Sequence, residues 1–226
     1  MSALSIPGVR ADRLSDRYAA FIFDLDGVLL LSGEAHEWAY REALRGAGAE
    51  RFDYARYAGM RTTDALRLAL LDNGLELADA ELRRLAKRKT DLAASRLERE
   101  NPLAPGCLAT LERLHGRTRL ALASSGSRRN VRSFVKRNRL ERLFEFVIDG
   151  EDVRAAKPAP EIYLRAIARL GLAAARCLAI EDSLAGVEAA RAAGADVCGL
   201  PTAVSAEALR AAGCAFVLEG LPELLA

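Results

Sequence analysis

Asp24 and Asp26 stand two residues apart, with Gly27 directly behind them, at the end of the apolar run Phe21-Ile22-Phe23. Three further polar clusters punctuate the chain: Ser124-Ser125-Gly126-Ser127, Lys157-Pro158 and Glu181-Asp182. An aspartate, with an ordinary pKa near ~3.9, is ionised at neutral pH, and a carboxylate can attack phosphorus to give an aspartyl-phosphate. Asp24 suits that role. Two anions meet in such a reaction, so a divalent cation and positive donors must offset their repulsion. Glu181 and Asp182 add hard oxygens of the kind magnesium takes. Lys157 could place an ammonium between the nucleophile and the phosphoryl oxygens. Ser124, with the backbone amides of Ser125 and Gly126 opening the next helix, could hold the same phosphate.

Each cluster alone has a plainer reading. Asp-x-Asp-Gly also begins calcium loops, but those need further oxygen ligands at regular spacing and a closing glutamate. Here Val28, Leu29, Leu30 and Leu31 follow instead. An acidic strand exit, a serine helix cap, a solvated Lys-Pro turn and an acidic first helical turn would account for the pieces one at a time. Phosphoryl chemistry is singled out by all four occurring in this order, each at the end of a predicted strand or in the loop after it.

The elements that must position them follow from periodicity. Short apolar runs at Phe21–Phe23, Leu120–Ala123, Phe146–Ile148, Cys177–Ile180, Ala195–Leu200 and Ala215–Leu218 alternate with helical patterns. Val131, Phe134 and Val135 mark one helix and Ile162, Ala166 and Ile167 another. A third runs from about Leu184, capped by Ser183 and stopped by Gly194. This alternation predicts βαβ units and a parallel sheet, whose ligands bind at the carboxyl edge. Residues 33–101 are helical throughout, with apolar stripes at Ala35, Trp38, Ala39 and Ala43, at Leu66, Ala69 and Leu70, and at Leu82, Leu85, Ala86, Ala93 and Leu97. The fold expected is therefore α/β: a Rossmann-like parallel sheet core, residues 1–32 and 102–226, with a small α-helical cap domain, residues 33–101, inserted after the first strand. Residues 1–17 read as a loosely ordered arm.

Composition narrows the function classes. Among 226 residues, 33 basic and 31 acidic side chains give a formal net charge of +2, which offers no electrostatic case for nucleic acid or a membrane surface. No apolar run approaches the roughly 20 residues of a spanning helix, and the N-terminal stretch lacks a signal-peptide core. Cys107, Cys177, Cys198 and Cys214 lie far apart and read as reduced thiols. A cytoplasmic enzyme, monomeric or weakly dimeric, is expected. The basic clusters Arg83-Arg84-Lys87-Arg88 and Arg128-Arg129-Arg132-Lys136-Arg137 raise a second class, an RNA-binding or regulatory module. They fall on helices without an aromatic stacking set and read as solvated faces.

The motifs Asp24-Leu-Asp-Gly-Val28, Leu122-Ala-Ser-Ser125, Lys157-Pro-Ala-Pro-Glu-Ile-Tyr163 and Leu178-Ala-Ile-Glu-Asp-Ser-Leu-Ala-Gly186 resemble those of the haloacid dehalogenase superfamily. The subgroup resembled is the one containing β-phosphoglucomutase, phosphoglycolate phosphatase and related sugar-phosphate phosphatases. The resemblance implies that Asp24 is the nucleophile and Asp26 the general acid and base. It implies Mg2+ on the Asp24 carboxylate, the Asp26 backbone carbonyl, Asp182 and, directly or through water, Glu181. Ser124 and Lys157 would bind the transferring phosphoryl group of a small phosphate ester. In the cap, Lys89 and His36 match active-site residues of the mutase. The mutase's phosphate-binding cap arginine aligns with Thr62, with Arg61 displaced by one position, and Leu31 replaces an aspartate common in the subgroup. A mutase must grip a second phosphate, so a phosphatase is the first expectation, with Arg61 a candidate substrate ligand, and a phosphosugar mutase the alternative.

Overall fold

The computed structural model describes residues 14–49 and 51–225. A short helix α1 (Leu14–Arg17) leads into β1 (Ala20–Phe23). Four helices follow: α2 (Gly33–Leu44), α3 (Tyr54–Tyr57), α4 (Thr62–Asp72) and α5 (Asp79–Glu100). The chain continues through α6 (Cys107–Leu114), β2 (Arg119–Ala123), α7 (Arg128–Arg137), β3 (Phe146–Ile148) and α8 (Glu161–Leu170). Then come β4 (Cys177–Glu181), α9 (Leu184–Ala192), β5 (Asp196–Gly199), α10 (Ala206–Ala211), β6 (Phe216–Val217) and a 3-10 turn at Leu221–Leu225. Leu14–Arg17 corrects the expectation of a loose arm there, because Arg17 pairs with Asp196 and lies over the rings of Tyr18 and Phe216. Residues 1–13 of that arm lie outside the described residues.

All six strands are parallel, in the order β3-β2-β1-β4-β5-β6. A parallel sheet needs helices on both faces, and the strands alternate accordingly. Phe21, Phe23, Leu178 and Ile180 point to one face, against α6 and α7. Ala20, Ile22, Cys177 and Ala179 point to the other, against α8, α9 and α10. Burying Phe21, Ile22 and Phe23 completely stabilises the sheet by about 1.5–3 kcal/mol each.

Register is what matters for function. Phe23 pairs with Leu122 on one side and Ile180 on the other, so Asp24 emerges beside Ala123 and Glu181, with its amide donating to the Ile180 carbonyl at 3.0 Å. The strand order reverses at this central strand, where a doubly wound sheet opens a crevice for ligand.

Helices α2–α5 have an apolar cluster of their own, built on Tyr40, Leu44, Phe52, Tyr57, Leu66 and Leu70, with α2 and α5 packed against each other. The described residues between β1 and β2 contain no strand. Two stripe residues depart from the expected pattern: Trp38 is partly exposed, and Leu97 leaves the helical cluster to pack on the sheet's core. Among the described residues, no helix is long and apolar enough to cross a membrane. Cys107, Cys177 and Cys198 are buried and none of the four cysteines is disulfide-bonded. Much of the basic clusters' charge is spent locally. Lys87 pairs with Asp91, Arg128 with Asp149 and Asp152, and Arg137 donates to the Glu98 carbonyl.

Candidate active site

Lys157 is the centre of the buried polar cluster at the sheet's carboxyl edge. Its Nζ lies 2.6 Å from Asp24 Oδ1, 2.6 Å from Glu181 Oε1 and 3.3 Å from the Ala123 carbonyl, and its side chain is fully buried. Burial works against the ammonium, yet the two carboxylates hold Lys157 above its ordinary range. Tyr163, in the first turn of α8, donates to Glu181 Oε1 at 2.6 Å and sets its ring 5.1 Å from the ammonium. Glu181 Oε2 accepts from the Ser183 hydroxyl and from the amides of Asp182 and Ser183. The two Glu181 oxygens are thus saturated by protein donors, which makes this side chain the anchor that fixes Lys157. Its carboxylate lies so close to the first turn of α9 that a Cβ on residue 186 would come within 2.0 Å of it, so only Gly186 fits.

Asp24, Glu181 and Asp182 each offer an oxygen within 4.8 Å of the others, and all three are buried. Burial raises Asp24 to about 7, with Glu181 and Asp26 pushing the same way and Lys157 opposing. Asp182 is likewise raised by burial, then by Glu181 and Asp24. One ammonium among three buried carboxyls leaves negative charge uncompensated, and the donors are hard oxygens, so the cluster fits a hard divalent cation. Thr202 lies 3.0 Å from Asp182 Oδ2 and 2.7 Å from the Gly27 carbonyl. Gly27, at φ 78°, leaves the space that Asp182 occupies, since a Cβ there would fall 1.7 Å from Asp182 Oδ2.

Asp26 is served by the other side of the cleft. Its Oδ1 accepts from Ser32 Oγ at 2.7 Å and from His36 Nε2 at 3.0 Å, and Lys89 Nζ sits 2.9 Å from His36 Nδ1. An ammonium only donates, so Nδ1 must accept and the imidazole proton resides on Nε2, facing Asp26. Burial pushes Asp26 up, but His36, Ser32 and Lys89 outweigh it and bring the carboxyl down to about 2. Burial, and then Lys89, lowers His36. Lys89 does not reach solvent from the stripe of α5. It is 4% exposed and seated 4.0 Å over the Tyr40 ring.

Burial brings Lys89 down from its ordinary value near 10.5 to about 8. That drop corresponds to about 3 kcal/mol against the folded state at neutral pH, where both states are charged. Because the unfolded chain holds this proton longer, the cost is relieved as pH rises from about 8 to 10.5. Lys89→Met is therefore expected to raise stability at pH 7 by up to about 3 kcal/mol, with the gain shrinking across that window. Denaturant titrations at pH 7 and pH 10 check the sign.

A cavity of about 110 Å³ between sheet edge and helices is lined by Asp24, Asp26, His36, Lys89, Ser125 and Gly126 among others, whereas Lys157, Glu181 and Asp182 are buried beside Asp24 and do not line it. Most of the expected site residues converge here. Ser124 is buried just behind the cavity wall, its Oγ accepting from the Gly126 amide at 3.0 Å, so Ser125 and Gly126 are the exposed part of that loop. Arg61 corrects the expectation of a substrate ligand. It does not line the cavity, and its guanidinium instead donates to the carbonyls of Gly150, Val153 and Arg154 at 2.9–3.1 Å. Thr62 lines the cavity in its place. Sequence reasoning missed Thr202, Ser32 and Tyr40. Thr202 lies just beyond the carboxyl end of β5, and the edge rule that found Glu181 could have found it. Nothing local marks Ser32.

A doubly wound parallel core, a helical cap over its carboxyl edge and an acidic cluster anchored by a buried lysine define a capped Rossmann-like α/β enzyme. The haloacid dehalogenase-like hydrolase family model matches residues 18–194, and the chain belongs to that family. It is 30% identical over 182 residues to the fructose-1-phosphate phosphatase YqaB of Escherichia coli, covering 80% of this chain and 95% of that protein. To the beta-phosphoglucomutase of Bacillus subtilis it is 32% identical over 188 residues, covering 77% of this chain and 80% of the relative. A solved hydrolase from Pseudomonas syringae superposes with a TM-score of 0.82 at 28% identity, over 92% of this chain and 96% of that one.

Proposed function

We propose that this enzyme is a magnesium-dependent phosphatase that hydrolyses a small sugar phosphate through an aspartyl-phosphate on Asp24. The observation that carries the choice of phosphatase over mutase is the cavity's supply of cations. Lys89 is committed to His36 and the Tyr40 ring, Arg137 to the Glu98 carbonyl, and Arg61 faces elsewhere. Among the described residues, the cations at this cavity are therefore held by protein groups, with no cluster of them set aside for the second phosphate of a bisphosphate intermediate. A cavity of about 110 Å³ has room for on the order of ten water molecules, the bulk of a small sugar phosphate. The relatedness to a fructose-1-phosphate phosphatase supports the same reading.

In this reading Lys157 holds Asp24 Oδ1, and Oδ2 attacks phosphorus. The new P–O bond forms as the ester P–O bond breaks, and the leaving alkoxide takes a proton from Asp26. Water then attacks the aspartyl-phosphate, gives its proton to Asp26, and inorganic phosphate leaves with Asp24 restored. Asp26 at about 2 is ready for the second step. For the first step it must be protonated, which the dianionic ester favours by raising it, with Lys89 and His36 lined up behind as the proton source. Magnesium, held by Asp24, Asp182 and the Asp26 carbonyl with Glu181 beside them, would offset the repulsion between ester and nucleophile. Closure of the cap excludes water during the first step.

A generic aryl phosphate and a panel of hexose monophosphates should release phosphate with magnesium and not with a chelator. Phosphate release unaffected by chelation would overturn the metal assignment. For the mutase alternative, β-glucose 1-phosphate with a bisphosphate primer should yield free phosphate; glucose 6-phosphate as the main product would reverse the assignment. The pH profile is a separate check. As pH rises through about 8 the Lys89 ammonium is lost, so kcat is expected to decline above pH 8 and Lys89→Met to show no such limb.

A further inference from the structure

One short segment of the cap touches both loops that surround the phosphoryl site. Arg61, at the start of α4, donates from Nη2 to the Gly150 and Val153 carbonyls, each at 2.9 Å, and from Nη1 to the Arg154 carbonyl at 3.1 Å. Those carbonyls lie in the loop between β3 and α8, which carries Lys157. The same loop is bonded to the serine loop, Gly150 N donating to the Gly126 carbonyl at 2.9 Å. Ser125 Oγ returns the connection, donating at 2.8 Å to the carbonyl of Gly59, two residues before Arg61. Arg61, Gly150, Gly126, Ser125 and Gly59 therefore form a closed ring of covalent and hydrogen-bonded links running from cap to core and back.

We propose that Arg61 is a positioning residue that locks the cap in its seated position and, through that ring, holds the serine loop and the lysine loop in their phosphate-binding geometry. A guanidinium suits the task, because its planar fork reaches several carbonyls at once and stays charged at any working pH. Losing it frees the cap to lift. His36 and Lys89 ride on the cap helices α2 and α5, so lifting also withdraws them from Asp26, which belongs to the core. The effect falls mainly on turnover, because Arg61 does not line the cavity and the lifted cap withdraws the groups behind Asp26, while the two loops keep their bond through Gly150 N and the Gly126 carbonyl.

The kinetic part of the test rests on the phosphatase reading. With a hexose monophosphate as substrate, Arg61→Ala should lower kcat about 10- to 100-fold while KM changes less than about threefold, and Arg61→Lys should fall between. Hydrogen–deuterium exchange of the magnesium-loaded protein is the second measurement. Amides of residues 124–127 and 150–156 should exchange faster in the order wild type, Arg61→Lys, Arg61→Ala. Arg61→Lys keeps the charge and most of the stem, and carries the test if the alanine variant fails to fold. Unchanged exchange in both loops would overturn the lock. So would a rise in KM confined to esters bearing a second anionic group, which would return Arg61 to substrate binding. If the wild-type protein hydrolyses no ester, the phosphatase reading fails, and the exchange comparison still decides whether Arg61 locks the loops.

Discussion

Asp24→Asn should lose turnover by on the order of 10⁴-fold or more while the fold survives intact. An amide of nearly the same shape cannot attack phosphorus, and the Lys157 ammonium keeps its 2.6 Å partner in Glu181. The variant also makes a stability prediction of the opposite sign. Asp24 is raised to about 7, first by burial and then by Glu181 and Asp26, so its charge costs the metal-free fold stability as pH rises through that value. Metal-free Asp24→Asn should therefore melt no lower than the parent at pH 8. Adding magnesium should stabilise the parent and do much less for the variant, because one of three clustered oxygens no longer carries charge. Phosphate release and thermal melts with and without magnesium test both parts. Turnover within tenfold of the parent would remove Asp24 from the nucleophile's role.

Lys157→Met should be the most damaging single change to the structure itself. It leaves Asp24 and Glu181 buried and facing each other with no cation between them, and breaking a buried pair in this way costs about 3–5 kcal/mol. Without the ammonium, the remaining lowering influence on Asp24 is gone and its carboxyl rises further. A carboxyl raised in the fold is stabilising in its neutral form, so the deficit should be largest above pH 7 and shrink toward pH 5. Adding Glu181→Gln to Lys157→Met should recover part of the lost stability and none of the activity, since the double variant removes the clash but restores no phosphoryl ligand. Denaturant unfolding of the single and double variants at pH 5 and pH 8 makes the comparison. A single variant as stable as the parent at pH 8 would mean that water reaches this cluster and screens it.

The strands were legible in the chain because buried parallel strands are short continuous apolar runs. Those at 146–148 and 177–180 lie within a residue of where periodicity puts them. Asp24, Lys157, Glu181 and Asp182 were legible for a related reason. Residues at the carboxyl ends of parallel strands converge whatever the intervening helices do, which brings Asp24, Glu181 and Asp182 together and leaves Lys157 to be carried in by the loop after β3. The cap helices could be placed by their stripes, and Lys89 stood out as a lysine on an apolar stripe.

What the sequence could not decide is where long side chains end. Arg61, read along the chain, is one residue from a ligand position, and only the seated cap shows its fork on the carbonyls of Gly150, Val153 and Arg154. Glu181 read along the chain as an oxygen for the metal, and only the packed structure shows that the same carboxylate also accepts from Lys157, Tyr163 and Ser183. Spacing and apolar pattern are local properties of the chain, and they determined the sheet and the edge at which its polar clusters meet, while the family was legible in the motifs themselves. The partners of the charged groups at the site depend on contacts between residues far apart in the chain, 133 positions for Asp24 and Lys157. Such contacts exist only once the cap and the sheet are packed, which is why only the tertiary structure shows the partners of Arg61, Glu181 and His36.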